Sequence, residues 1–262
     1  MRLKVTSWNV NSVRARITHL QDFLQRVSPD IVLLQELKCE EAQFPKSIIE
    51  DLGYEVIIHG QKSFNGVAIL SKFRIEEHSI TFKEDPNPEQ SRYIEAVINV
   101  NGNVIRVASV YVPNGESLTS QKYTYKLQFY ESLLLHLQQI YSWNEKFIIG
   151  GDFNVAPDSI DVYDPKQFCD SVCFSLPERK ALHKITNMGL LDSYRLLYPN
   201  EKGFTWWDYR AGAWKRNEGM RIDHILISPE IADNYSNFII HKEERDKQTP
   251  SDHVPITAEF EL

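Results

Sequence analysis

The chain has very little cysteine: Cys39, Cys169 and Cys173 are all it contains in 262 residues. Thiols so few and so scattered exclude a disulfide framework, and a lone C-x-x-x-C is not zinc-site spacing. They read as reduced thiols of a cytosolic protein. No apolar run is long enough to span a bilayer, and Met1-Arg2-Leu3-Lys4 does not open a signal peptide. Linkers, fixed-period repeats and low-complexity segments are also missing, so residues 1–262 read as one domain. Positive charge is scarce too, with 29 Lys and Arg against 36 Asp and Glu, a net charge of −7. That balance argues against nucleic acid as a partner of the surface as a whole. A group of carboxylates committed to a metal would, however, lower the total while one face stayed basic. The remaining composition, 42% hydrophobic and 25% charged, is that of an ordinary soluble globular chain.

What is present is organised around Lys146 to Ala156, Lys-Phe-Ile-Ile-Gly-Gly-Asp-Phe-Asn-Val-Ala. Phe147, Ile148 and Ile149 form a run short enough for a buried strand. Gly150 and Gly151 let the backbone bend or approach another chain closely. If the chain stays extended, side chains alternate, so Asp152 and Asn154 share one face and Phe153 takes the other. The stretch is then either a strand delivering a carboxylate and an amide to a site, or a strand stopping in a polar turn, where Asp and Asn are common.

Leu3 to Trp8 reads as a strand ending in Asn9-Val10-Asn11, and Asp30 to Leu34 as one ending in Gln35-Glu36. Between them Ile17, Leu20, Leu24 and Val27 recur at helical spacing until Ser28-Pro29. A short helix is predicted from near Pro45 to Gly53. The segments 54–59, 66–71, 74–80, 92–100 and 104–111 read as strands, with Asn101-Gly102 as a hairpin turn between the last two. Leu127, Tyr130, Leu133, Leu134, Leu137 and Tyr141 line one face of a long helix. Pro157 to Phe174 reads as a long polar connection, after which Ser175-Leu176-Pro177-Glu178 forms a capping box opening a helix to Gly189. Segments 204–209, 221–228, 238–241 and 255–260 complete the strands. A strand-rich core with a few amphipathic helices predicts sheet packed on sheet with helices outside, an α/β (α+β) arrangement.

The polar residues share one habit. Asn9, Asn11, Glu36, Asp152, Asn154, Asp223, Asp252 and His253 each sit in or just after an apolar strand. Asp223 lies inside Arg221-Ile222-Asp223-His224-Ile225-Leu226-Ile227, where a buried charge is costly without a partner. Singly, a Glu here is a surface carboxylate and a His a satisfied structural one. Together, carboxylates and amide oxygens are the ligands of Mg²⁺, which keeps waters and phosphate oxygens for its remaining positions. No His or Cys pair has zinc spacing. One His beside a carboxylate suits an imidazolium donating to a phosphoryl oxygen. These parts can perform metal-assisted attack of water on a phosphate ester.

In order, Ser7-Trp8-Asn9-Val10-Asn11, Leu34-Gln35-Glu36, Tyr111-Val112-Pro113-Asn114, Gly150-Gly151-Asp152-Phe153-Asn154, Arg221-Ile222-Asp223-His224 and Ser251-Asp252-His253-Val254-Pro255 resemble the motifs of the endonuclease/exonuclease/phosphatase superfamily. His59-Gly60-Gln61-Lys62, Gly115-Glu116-Ser117, the Leu176-Pro177-Glu178-Arg179 helix start and Phe204-Thr205-Trp206-Trp207-Asp208-Tyr209-Arg210 resemble its exonuclease III branch, whose members are DNA-repair enzymes. The resemblance implies a four-layer sandwich, two mixed sheets face to face with helices on the outside, and a site at one end of the sheets. It implies Mg²⁺, with Mn²⁺ as an alternative, held by Glu36 with Asn11 and Asp252 and supported by Asn9. Asp152 would orient or deprotonate water, Asn154 would hold water or phosphate, and Tyr111 would contact the phosphate as donor or phenolate. His253 would donate to the phosphate with Asp223 fixing its tautomer. Position 11 is Asn where some relatives have Asp, and His224 is given no role. Duplex DNA with an abasic site or a 3′ end would be the partner, met by Arg92, Asn114, Lys122, Trp206, Arg216 and Asn217, with Trp206 at the abasic pocket. Of Trp206, Trp207 and Tyr209, alternation sends them to opposite faces, and packing accounts for two. A monomer without membrane contact, in the cytoplasm of a bacterial-type cell and working on the nucleoid, completes the expectation. The same chemistry on a phosphorylated lipid or inositol, and a binding module without activity, are the alternatives.

Overall fold

The computed structural model describes residues 1–262. In chain order its elements begin with β1 (Arg2–Asn9), α1 (Ile17–Arg26), β2 (Ile31–Gln35), α2 (Lys46–Glu50), β3 (Glu55–His59), β4 (Val67–Ser71), β5 (Ile75–Ser79), β6 (Tyr93–Val100) and β7 (Asn103–Tyr111). They continue with α3 (Gln121–Tyr141), β8 (Phe147–Asp152), α4 (Pro165–Phe168), α5 (Leu176–Asn187), β9 (Leu191–Asp192), α6 (Ser193–Leu197) and β10 (Trp206–Trp207). The last are α7 (Ala213–Arg216), β11 (Gly219–Met220), β12 (Asp223–Ile227), α8 (Pro229–Ala232), β13 (Tyr235–Ile240) and β14 (Ile256–Glu261). No helix is long and apolar enough to cross a membrane.

One six-stranded sheet runs β13-β14-β1-β2-β4-β3 and the other β5-β6-β7-β8-β12-β9. Each is antiparallel except for one central parallel pair, β1 with β2 and β7 with β8. Leu3, Val5, Ile31, Leu33, Val67 and Ile69 of the first sheet pack with Ile94, Ile98, Val107, Ile148, Ile225 and Ile227 of the second to form the inner core. The opposite faces carry helices. Trp8, Val32 and Leu34 meet Leu20, Phe23 and Leu24 of α1, while Ala108, Val110 and Ile149 meet Phe129, Leu133 and Leu137 of α3. The four-layer expectation is met.

This alternation places the polar residues. Ile148 faces the inner core and Ile149 the helices, so Asp152 returns to the inner side by strand parity. The same count from Leu3 and Val5 turns Asn9 inward, and from Ile225 it turns Asp223 inward. Register aligns them: Asp152 stands beside Tyr111 and Asp223, and Asn9 beside Gln35. Glycine is required at both positions before Asp152, at Gly150 by the facing sheet and at Gly151 by the neighbouring strand β7. A Cβ on Gly150 would lie 2.8 Å from Leu33 Cδ1, and one on Gly151 only 2.0 Å from the Val110 carbonyl oxygen. Beneath the site Gln35 Nε2 donates to Ser109 Oγ at 2.9 Å, and Ser109 Oγ to Leu34 O at 2.9 Å, bridging the two sheets.

Several expectations need correction. Asp152 and Asn154 are not brought together by an extended chain: Asn154 is left-handed, φ 51°, and the backbone turns there. The buried stripe of α3 is Tyr123, Lys126, Phe129, Tyr130, Leu133, Leu137 and Ile140, so Leu127, Leu134 and Tyr141 flank it. The segment 204–209 keeps only Trp206–Trp207 as strand. The 157–174 connection holds a 3₁₀ turn over Ser159–Asp161 as well as α4. The Asn101-Gly102 turn and the Ser175/Glu178 capping box both form as predicted.

Candidate active site

The strand ends of both sheets surround a cavity of about 410 Å³. Its polar floor includes Glu36, Tyr111, Asp152, Asn154, Asp252 and His253. Its far wall is apolar, formed by Phe168, Val172, Trp206, Met220 and Ile222. Asn11, Glu36 and Asn154 all have positive φ (44°, 52° and 51°), so each polar residue is folded back over a strand end. Asn tolerates that conformation, whereas at Glu36 it is held by the surroundings.

The side chains form a continuous set of contacts. His253 Nδ1 lies 2.9 Å from Asp223 Oδ2, which also accepts from Thr205 Oγ1 at 2.6 Å. His253 Nε2 lies 3.7 Å from Asp152 Oδ2. Asn9 Nδ2 donates to Asp152 Oδ2 at 3.0 Å and to Glu36 Oε1 at 2.8 Å, holding the two acids together. Asn154 donates its backbone N–H to Asp152 Oδ1 at 2.9 Å and its amide to Val112 O at 2.9 Å. Asn114 Nδ2 donates to Asn154 Oδ1 at 3.0 Å. Asp252 accepts from Asn11 Nδ2 at 2.9 Å and from Trp206 Nε1 at 3.0 Å. Glu36, Asp152 and His253 can each aim one ligand atom to within 4.8 Å of the others.

Burial pushes the Asp152 carboxyl up to about 7; Asp223 and Glu36 add to the shift and His253 opposes it. Burial also works against a charged His253, but Asp223, Asp152 and Asp252 outweigh it and raise the imidazole to about 10. For Tyr111, burial with the Glu36 and Asp152 charges holds the phenol well above its ordinary range. The site thus combines a carboxyl poised near neutrality with an imidazolium and a protonated phenol.

The family model described as the Endonuclease/Exonuclease/phosphatase family matches residues 6–253. The chain belongs to that family. Its sequence is 36% identical to exodeoxyribonuclease III of Haemophilus influenzae, over 98% of this chain and all of that protein. Among solved structures, a 3′ phosphatase from Neisseria bound to a product DNA hairpin superposes with a TM-score of 0.95 at 37% identity, covering 99% of this chain and 100% of that one. An AP endonuclease from Archaeoglobus fulgidus gives 0.94 at 38% identity, with the same coverage. The resemblance read from the motifs therefore holds across the chain.

The residues expected to meet DNA divide. Arg92, Asn114 and Lys122 line an adjoining cavity of about 460 Å³ that shares Tyr111 and Asn114 with the first. Arg92 stacks over the Tyr111 ring at 4.9 Å and donates to Tyr111 O at 3.2 Å, while Lys122 pairs with Glu116 at 3.3 Å. Trp206 lies in the apolar wall and continues into a third cavity with Arg210 and Arg216. Arg216 is paired with Glu218. Asn217 lines none of these cavities and accepts from Trp207 Nε1 at 3.2 Å. Of the aromatic trio, Trp207 is fully buried and Tyr209 half exposed over Arg245. His224 is a buried structural residue between Arg221 and Val155 O.

Sequence reasoning missed Lys38, whose ammonium lies 2.8 Å from Glu36 Oε2 and also donates to Asn11 Oδ1. It missed Thr205 as well, and the apolar wall apart from Trp206. Of these missed residues only Thr205 carried a signal, standing directly before Trp206 in the branch motif.

Proposed function

We propose that the chain hydrolyses the phosphodiester 5′ to abasic sites in duplex DNA, leaving a 3′-hydroxyl, and removes nucleotides or blocking groups from 3′ ends. The observation that carries this reading is the unbroken contact chain from Asp223 through His253, Asp152 and Asn9 to Glu36, facing an apolar wall. The DNA-bound Neisseria relative and the Archaeoglobus AP endonuclease support a damaged-DNA substrate. In this reading the protein works as a monomer in the cytoplasm.

The donor set fits Mg²⁺, with Mn²⁺ as an alternative: Glu36 and Asn11 already present oxygens to one cation, the Lys38 ammonium, and a hard divalent ion prefers such oxygens. Glu36 and Asn11 would hold it, with Asp252 directly or through water and Asn9 in support. Bound there, the ion would neutralise charge on the phosphate and its leaving oxygen. Asp152 accepts the proton of the attacking water, for which a pKa of about 7 is well matched. Asn154 holds the water or the phosphate. His253 donates from Nε2 to a phosphoryl oxygen, because Nδ1 is engaged by Asp223. Tyr111, kept protonated, donates and does not act as a phenolate. Trp206 and its apolar neighbours take a sugar that lacks its base, and Arg92, Asn114, Lys122, Arg216 and Asn217 contribute contacts along the flanking strand.

A duplex carrying one abasic site, incubated with the protein and Mg²⁺, is expected to be cut once, and EDTA to stop the reaction. No incision of that duplex by the wild-type protein would refute the assignment. The rate should also follow the two titrations. Asp152 must be ionised, so kcat falls as pH drops below about 7, and His253 must be charged, so it falls again above about 10. A bound cation beside Glu36 favours ionised Asp152 and moves the acid limb lower still. A kcat that rises on acidification from pH 8 to pH 6 would contradict these roles.

Lys38 competes with a divalent ion for the same oxygens. Lys38→Met is expected to lower the Mg²⁺ concentration for half-maximal rate about fivefold, the effect of removing roughly 1 kcal/mol of competing charge. An unchanged or higher Mg²⁺ requirement would show that Lys38 does not occupy the cation's place.

A further inference from the structure

Helix α3 makes contacts that the proposed chemistry leaves unassigned. Tyr123, Lys126 and Tyr130 belong to its buried stripe, and each turns a polar atom toward loops that carry the site. Tyr130 OH donates to Phe153 O at 2.6 Å, and Tyr123 OH bonds Ser175 Oγ at 2.7 Å. Between them Lys126 is fully buried. Its ammonium donates to Asn154 O at 2.6 Å, to Asn114 O at 3.0 Å and to the equally buried Glu178. Glu178 in turn accepts from the backbone N–H groups of Cys173 and Ser175, both at 3.0 Å. One ammonium therefore ties together the loop after β7, the turn after β8 and the segment that enters α5. Cys173, on that last segment, also lines the catalytic cavity.

Resting on the nuclease reading, we propose that Lys126 is a positioning residue: by gripping the carbonyls of Asn114 and Asn154 it aims Asn154 and Asp152 at the phosphate, with Glu178 as its counter-charge. Asn154 is left-handed at φ 51° and both its backbone N–H and its amide reach Asp152, so a shift of its carbonyl moves the carboxylate's partners with it. A buried ion pair that served stability alone would be replaceable by neutral side chains of similar size. Here replacement removes the only side-chain donor those two carbonyls receive from α3.

The test compares Lys126→Met, Glu178→Gln, the K126M/E178Q double variant and, as a remote control, Arg106→Met at the opposite end of β7. Thermal midpoint, kcat and KM on abasic duplex, and hydrogen exchange of the Phe153 and Asn154 amides are read for each. Lys126→Met leaves Glu178 buried without a partner and loses both stability and rate. The double variant removes that charge and regains the midpoint, yet its kcat stays about 30-fold or more below wild type with KM within about threefold, the scale expected for a misplacement near 1 Å. Its Phe153 and Asn154 amides exchange about tenfold faster or more, and Arg106→Met lowers the midpoint while keeping kcat. Recovery of wild-type kcat together with the midpoint, or wild-type exchange at Phe153 and Asn154, overturns the proposal. Should the double variant not fold, Lys126→Gln, which keeps one donor, is expected to lose about tenfold in kcat, and full activity there overturns the proposal equally. Absence of cleavage by the wild type would instead sink the nuclease reading, and the exchange measurement would still decide the positioning role.

Discussion

Replacing Asp152 by Asn is expected to lower kcat on abasic duplex DNA by about 10³-fold, the contribution of a well-placed general base. The substitution keeps the volume of the side chain and removes its charge. Asp152 accepts from the Asn154 backbone N–H, the Asn154 amide and the Asn9 amide, all oriented toward carboxylate oxygens. An asparagine here cannot take a proton and turns its own N–H groups against one of those donors. DNA binding should hold or tighten, since a negative charge leaves a pocket that on this account would receive a phosphate. Single-turnover rates with a parallel binding titration separate the two effects. A loss of less than about tenfold would remove Asp152 from the role of base.

His253→Ala is expected to cost about 10²–10³-fold in kcat, the scale of losing one charged donor to a developing oxyanion. The companion variant Asp223→Asn is more informative about mechanism. His253 owes its pKa of about 10 to carboxylates that outweigh its burial, Asp223 foremost among them. With Asp223 neutral the imidazole titrates lower, so the alkaline fall of the rate moves toward neutral pH, and activity lost at pH 9 is partly recovered at pH 6.5. The profile is measured as kcat against pH for both proteins. An alkaline limb unmoved by Asp223→Asn would mean that another group sets it.

Much of the site was legible because its residues occupy strand ends, where a period of two fixes which side chains face inward. Asp152, Asp223 and Asn9 follow directly from the apolar residues that precede them. The left-handed turns were not legible. Glu36 at φ 52° adopts a conformation its residue type disfavours, and only the packed surroundings of the site impose it. Lys126 is hidden for a related reason: hydropathy places lysine outside, so the pattern picks out Tyr130, Leu133 and Leu137 of the buried stripe but puts Leu127 where Lys126 is buried. What draws Lys126 inward is Glu178, 52 residues later. The 157–174 connection was unreadable on the same account. Its shape depends on Asp161, buried against Arg195 and against Arg221 at 2.6 Å, and these long-range pairs seat the segment whose Phe168 and Val172 complete the cavity wall. The net charge of −7 pointed away from nucleic acid as a whole-surface partner. In the structure Asp152, Asp223, Glu36 and Asp252 gather at one pocket while Arg92 and Lys122 border the groove beside it.

Cleavage of an abasic duplex in water enriched in ¹⁸O tests the central claim most directly, because it reports which bond the pocket breaks and what attacks it. Activation of water by Asp152 against phosphorus predicts one ¹⁸O in the 5′-phosphate on the abasic fragment and an unmodified 3′-hydroxyl on the other. Product carrying a 3′-unsaturated aldehyde, or a 5′-phosphate without solvent oxygen, would contradict hydrolysis at this site.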